Sequence, residues 1–338
     1  MKTRRLGRSA LHVSEICMGT MTFGHQADEA MSHRILDKSF EAGITFYDTA
    51  ENYPVPPDAK YAGRTEEIVG RWMKTKPRDA VLLATKVSGP SHGWIKSAQR
   101  HAMTAMDRHN IVRAMEASLK RLCTDYVDLY QTHWPDHGTT YEEPMRALDD
   151  LVKAGKVRVL GCSNETTWGL MKSLAASEKC GIARHESVQN NFSLNNRRFE
   201  DEMAQAARQE GVSLIPYSPL AGGVLTGKYQ GGKWPEGARF TKYKDMPARQ
   251  APMARRFVNE KTLASTDRWI GLAQELGMTV TTFATAWSKQ HDFVASTIVG
   301  ATHEDHLPDI FKAADVTLPA EVMQKVDEIS KEIRYPMG

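Results

Sequence analysis

Cysteine is scarce in this chain of 338 residues: Cys17, Cys123, Cys162 and Cys180 are the full set, and no two have C-x-x-C spacing. That argues against a disulfide framework, and the thiols are expected to be small buried hydrophobes in a reducing compartment. No apolar run approaches the roughly 20 residues a membrane-spanning helix needs. The opening Met1-Lys-Thr-Arg-Arg-Leu lacks the apolar stretch of a signal peptide, so a cytoplasmic protein is expected. An excess of charge is also missing. With 44 basic against 41 acidic side chains the net is +3, which argues against nucleic acid or an anionic membrane as the main partner. Finally, no G-x-G-x-x-G turn follows the first strand-like run, where Gly19-Thr-Met-Thr-Phe-Gly24 stands instead.

What is present is an alternation. Apolar, β-branched runs occur at residues 13–19, 44–48, 81–87, 126–133, 157–164, 185–191, 212–217 and 296–300, eight in all. Between them lie segments of helical period. Ile111, Met115, Leu119 and Leu122 share one face, and Leu36 and Phe40 share another that ends at Gly43. Thr65 is expected to cap a helix whose first turn carries Glu66 and Glu67. Further helices are expected over 142–154, 166–179, 199–210, 266–277 and 280–290. Eight nearly continuous apolar strands alternating with helices describe an α/β fold with a parallel sheet, and eight strands close a (β/α)8 TIM barrel. An open doubly wound sheet is the competing architecture. Residues 3–13 have the shape of a β-hairpin around Gly7, able to plug the amino-terminal mouth of the barrel. Long segments at 88–109, 220–265 and after 330 are expected as loops at the carboxyl face, where barrel enzymes do chemistry. A single domain over 1–338 accounts for all of this.

The strand ends carry polar groups. In order they give Asp48 with Tyr53 beyond it, Lys86, His133, Ser163 with Asn164, Gln189, Tyr217 with Ser218, and Gly300 with Thr302. This set suits proton transfer to a carbonyl oxygen. A phenol with a pKa of ~10 is too weak an acid for neutral pH, and a nearby ammonium lowers it. Lys86 is expected to act on Tyr53 in this way, with Asp48 holding the ammonium and His133 meeting the substrate oxygen. No Ser-His pair suits nucleophilic catalysis. His303 and His306 have metal-like spacing without a third ligand, so no metal is expected and a helix start is the better account.

The strings Asp48-Thr-Ala-Glu-Asn-Tyr53, Ala84-Thr-Lys-Val, Tyr130-Gln-Thr-His-Trp134 and Gly161-Cys-Ser-Asn164 resemble the aldo-keto reductase superfamily. Tyr53-Pro-Val-Pro-Pro-Asp-Ala59 and Ala84-Thr-Lys-Val-Ser-Gly-Pro90 resemble its bacterial Tas-like subgroup. The resemblance runs nearly end to end. It implies a (β/α)8 barrel that reduces an aldehyde or ketone, with hydride from a nicotinamide dinucleotide and the proton from Tyr53. It further implies that Ser163, Asn164 and Gln189 hold the nicotinamide carboxamide and that Tyr217 stacks on the ring. Gly19, Thr20 and Met21 are expected on the cofactor as well. So are Ser218, Pro219, Leu220, Gly222, Leu225 and Lys228, from the segment that wraps the diphosphate. From 220 to 262 there are nine Lys and Arg against three acids, as a lid over an anion requires.

At the adenosine end the resemblance assigns Gly300, Thr302 and His306. The family's usual Arg or Lys is replaced there by Thr302 or His303, and its adenine-contacting Asn by Ile310. NADP(H) is expected, with NAD(H) as the alternative. Phe23, Trp94, Trp134 and Tyr335 are expected to wall the substrate pocket, an aromatic lining suited to flat or apolar carbonyl compounds. A nicotinamide-sensing regulatory subunit on the same fold is the alternative function, because some superfamily members are channel β subunits. Oligomeric state and physiological substrate leave no sequence signal.

Overall fold

The computed structural model describes residues 1–90, 100, 104–246 and 249–337. The chain opens with β1 (Thr3–Arg5) and β2 (His12–Ser14), paired antiparallel. Gly7 lies between them at φ +57°, where a Cβ would come within 2.3 Å of the Glu186 carbonyl oxygen. The hairpin is the one expected around this glycine.

Eight parallel strands follow: β3 (Ile16–Gly19), β4 (Phe46–Asp48), β5 (Leu82–Val87), β6 (Val127–Thr132), β7 (Val157–Ser163), β8 (His185–Gln189), β9 (Ser213–Leu214) and β10 (Thr297–Gly300). Each falls within one of the eight apolar runs. Their order is β10-β3-β4-β5-β6-β7-β8-β9. The two ends of this series meet. The Ile298 N–H donates to the Pro216 carbonyl at 2.9 Å, and Leu214 bridges Val294 in parallel. The result is an α/β fold with a curled eight-stranded parallel sheet, the arrangement of a (β/α)8 barrel.

The strand period of two explains the core. Cys17, Phe46, Ala84, Leu129 and Val159 form one apolar cluster with Leu6, Leu11 and Val13 of the hairpin segment. Their strand neighbours Met18, Tyr47, Leu83, Tyr130 and Leu160 belong to a second, larger cluster with the helices. The first set faces the barrel axis and the second faces outward. Extending the inward parity toward the carboxyl ends reaches Gly19, Asp48, Lys86, Gln131, Ser163 and Gln189.

The helices are α1 (Glu29–Glu41), α2 (Arg64–Met73), α3 (Arg108–Leu122), α4 (Glu142–Lys153), α5 (Thr167–Cys180), α6 (Met203–Glu210), α7 (Arg239–Tyr243), α8 (Gln250–Phe257), α9 (Glu260–Glu275), α10 (Val280–Gln290), α11 (Leu307–Lys312) and α12 (Ala320–Glu332). Asp28, Asp107, Thr166 and Thr279 cap α1, α3, α5 and α10 by accepting from backbone N–H groups. The cap expected at Thr65 is not one. α2 starts after Gly63 at φ +86°, and the buried Thr65 hydroxyl donates instead to the Phe23 carbonyl at 2.8 Å. The expected loop over 220–265 contains α7, α8 and the start of α9. Its helices form because Phe240, Tyr243 and Phe257 bury their rings in the main core. Cys17 and Cys162 are buried as expected, Cys180 is half-buried, and Cys123 is exposed. Among the described residues no helix is long and apolar enough to cross a membrane.

Candidate active site

Parity and register bring the inward polar residues to one level at the carboxyl end of the sheet. Gly19 pairs with Asp48, Lys86 with Gln131, and Ser163 with Gln189. The fully buried Lys86 Nζ lies 2.5 Å from Asp48 Oδ2, 2.7 Å from the Thr49 carbonyl oxygen and 3.3 Å from the Tyr53 hydroxyl. The other Asp48 oxygen accepts from Gln189 Nε2 at 2.8 Å and Gln131 Nε2 at 3.2 Å. Tyr53 and His133 meet edge to face, 5.6 Å between ring centroids. The four residues expected to act together are adjacent.

Their electrostatics differ from the expectation in one respect. Burial pushes the Tyr53 phenol up, Lys86 pulls it down, and the net shift is upward. Desolvation outweighs the ammonium because Asp48, 2.5 Å from Lys86, offsets much of the cation's field. Tyr53 therefore keeps its proton at neutral pH, as an acid should. Burial alone would lower the Lys86 pKa, but Asp48 and Tyr53 reverse this and hold the ammonium charged. His133 is driven well below the usual histidine range by burial and by Lys86, so its ring is neutral.

A cavity of ≈ 880 Å³ opens above this cluster. Asp48, Tyr53 and His133 line it, while Lys86 lies beneath the lining. Of the residues expected on a dinucleotide, Gly19, Thr20, Met21, Ser163, Asn164, Gln189, Tyr217, Ser218, Pro219, Leu220, Gly222, Lys228, Gly300, Thr302 and His306 all line it. Leu225 does not. Its side chain is fully buried in the apolar core, because the turn over Ala221–Thr226 points it away from the cavity. Tyr217 donates to Asn164 Oδ1 at 2.8 Å, and Asn164 Nδ2 donates to the His133 carbonyl at 2.9 Å. Gln189 has its amide nitrogen committed to Asp48 and Gln131, which leaves Oε1 for any ligand.

The substrate wall is corrected at two of its four residues. Phe23 is fully buried in the core and does not reach the cavity, since the turn that carries it packs onto α2. Tyr335 sits on the surface, its hydroxyl 2.9 Å from Asp201 and its ring under Arg198. Trp134 does line the cavity, its ring stacked against His133. Trp94 lies outside the described residues.

Sequence reading missed three contributors. Gln131 lies two residues before His133 on β6, and the inward parity of Leu129 was its available signal. Arg239 and Arg256 line the cavity from α7 and α8, and no ion pair engages either among the described residues. Lys228, also without an ion pair, has its pKa lowered by burial and by Arg239. Gly222 and Gly223 have φ of +64° and +99°, and a Cβ on them would strike the Phe240 ring at 2.5 Å and the Lys228 side chain at 2.9 Å. A bare backbone cradle beside three cations suits a diphosphate. Among the described residues no group of three or more His, Cys, Asp or Glu could hold a metal ion. His303 caps a short 3-10 turn, accepting from the Asp305 N–H.

The profile of the Aldo/keto reductase family matches residues 15–331. The chain is 37% identical to Protein tas of Escherichia coli, across 99% of each chain. It belongs to the aldo/keto reductase family. Within that family it is also 35% identical to the uncharacterized oxidoreductase YrpG of Bacillus subtilis, over 97% of this chain and 96% of the relative. A probable voltage-gated potassium channel subunit beta of Oryza sativa is 32% identical over the same shares. Family members of this length thus carry both oxidoreductase and channel-subunit names.

Proposed function

We propose that this family member is a carbonyl reductase that uses NADP(H), with NAD(H) as the alternative cofactor, and acts on an aldehyde or ketone. One observation carries the reading: the 3.3 Å approach of the Lys86 ammonium to the Tyr53 hydroxyl at the floor of a cavity large enough for a dinucleotide. When bound, the nicotinamide supplies hydride chemistry. The chain's own residues do the rest. Tyr53 donates its proton to the carbonyl oxygen, and Lys86 steadies the phenolate that remains. Asp48, Gln131 and Gln189 fix the ammonium. Neutral His133 hydrogen-bonds the substrate oxygen. Ser163, Asn164 and Gln189 orient the carboxamide, and Tyr217 backs the ring. Gly222, Lys228, Arg239 and Arg256 hold the diphosphate, and Thr302 and His306 serve the adenosine end. Residues 1–338 act as one cytoplasmic domain, with the amino-terminal hairpin as a plug.

The test is Tyr53→Phe. Loss of the proton donor should lower turnover of an aldehyde by about 10²–10⁴ while leaving NADPH binding, read by tryptophan fluorescence, within about twofold. Undiminished turnover would refute the role. A regulatory subunit is the second reading, favoured by the likeness to the channel subunit of Oryza sativa. Sustained loss of NADPH absorbance with an aldehyde panel supports the enzyme, and binding without turnover supports the sensor.

A further inference from the structure

Asn52 precedes Tyr53, lines the same cavity, and is 3% exposed. Its side-chain oxygen is buried without a hydrogen-bond partner, and among the described residues nothing bonds to any part of its carboxamide. Its neighbours are placed differently. The Glu51 carboxylate accepts from the Ser88 N–H at 2.7 Å and from Arg100 at 2.8 and 3.0 Å. The Thr49 carbonyl accepts from Lys86. Met21, Val55 and Trp134 give the same cavity apolar lining, and Met21 and Val55 pack with Tyr53, the residue after Asn52. A buried amide left unpaired is unfavourable unless a ligand completes it. Leucine, of nearly the same size, would fill the position without that penalty.

We propose that Asn52 is a specificity-determining residue that pairs with a hydroxyl on the substrate, apart from the carbonyl that Tyr53 serves. A carboxamide accepts through Oδ1 and donates through Nδ2, and a hydroxyl group does both, so one substituent satisfies it. The substrate class is hydroxy-substituted aldehydes and ketones. The apolar wall receives the carbon frame, and the single polar group selects among frames of similar shape. This inference rests on the carbonyl-reductase reading for its reaction, but binding tests it separately.

The experiment compares benzaldehyde with its three monohydroxy isomers, using wild-type protein and Asn52→Leu. At least one isomer should exceed benzaldehyde in kcat/KM, and that ratio should fall about tenfold in the variant. In parallel, calorimetric titration of the NADPH-loaded protein with hydroxybenzyl and benzyl alcohols should give the hydroxylated ligand an affinity about tenfold higher in wild type only. Equal binding of both alcohols by wild-type protein overturns the proposal, as does an Asn52→Leu variant that lowers all substrates alike. Selective alcohol binding without any turnover sinks the reductase reading and leaves the role of Asn52 standing.

Discussion

The ammonium of Lys86 lies 2.5 Å from Asp48 Oδ2, and both side chains are buried at the carboxyl end of the sheet. This pair is the anchor on which Tyr53 depends. Removing the ammonium leaves a carboxylate in the barrel with only neutral amides for company. Lys86→Met should therefore destabilise the fold by about 3–5 kcal/mol, measured by urea unfolding. Adding Asp48→Asn to it should restore part of the loss. A single variant as stable as wild type would show the pair to be solvated.

The buried histidines set the acid limit of stability. Burial, aided by Arg184, lowers His185 to about 4, and burial, aided by Arg197, lowers His291 to about 3. Both are neutral in the folded state and gain a proton on unfolding below ~6.5. Their stabilisation is therefore complete above that pH and is lost as pH falls toward the folded values. Unfolding free energy should drop by about 1.4 kcal/mol per pH unit per histidine between roughly pH 6 and 4. His185→Asn should give a shallower slope in urea titrations at pH 7.5, 6 and 5. An unchanged slope would remove His185 from this account.

The neutral state of His133 has a kinetic consequence. Turnover in the reducing direction should show no inflection near pH ~6.5, and should decline only when Tyr53, its phenol pushed above the ordinary range by burial, loses its proton. A pH–kcat profile checks this. An inflection near 6.5 that disappears in His133→Gln would mean that the imidazolium participates.

Arg239 faces the cavity from α7 with no acidic partner among the described residues. Arg239→Leu should weaken NADPH binding about 10- to 100-fold, as loss of a charge-assisted contact does. The salt dependence of binding should weaken with it. Fluorescence titration at two ionic strengths measures both, and wild-type affinity in the variant would place the diphosphate elsewhere.

Gly70 tests the scaffold. A methyl group there would lie 2.2 Å from the Arg121 carbonyl oxygen and 2.8 Å from the Leu122 backbone, so α2 and α3 must separate to admit it. The helix-propensity gain of about 1 kcal/mol is outweighed by overpacking of about 1–3 kcal/mol or more. Gly70→Ala should lower the urea midpoint, and a rise would show that the two helices yield readily.

The eight strands and their helices could be read from the sequence because each is a local pattern. The apolar, β-branched run at 126–133 and the spacing of Ile111, Met115 and Leu119 on α3 are properties of neighbouring residues along the chain. Asp48, Lys86, Ser163 and Gln189 were legible because each lies at or near the end of an apolar run, whereas Gln131, two residues before His133, was not. Tertiary structure alone decided what those groups do to one another. Whether Tyr53 is made more or less acidic depends on how deeply it is buried and on how closely Asp48 offsets Lys86, and both are distances across strands. Phe23 and Tyr335 were misplaced because an aromatic side chain carries the same signal whether it fills the core or lines a cavity. Arg239 was missed because helical cover over the cavity, contributed by residues 239–257, comes from rings buried far along the chain. Sequence period fixes which side of an element a residue occupies, whereas solvation and charge depend on everything packed around it.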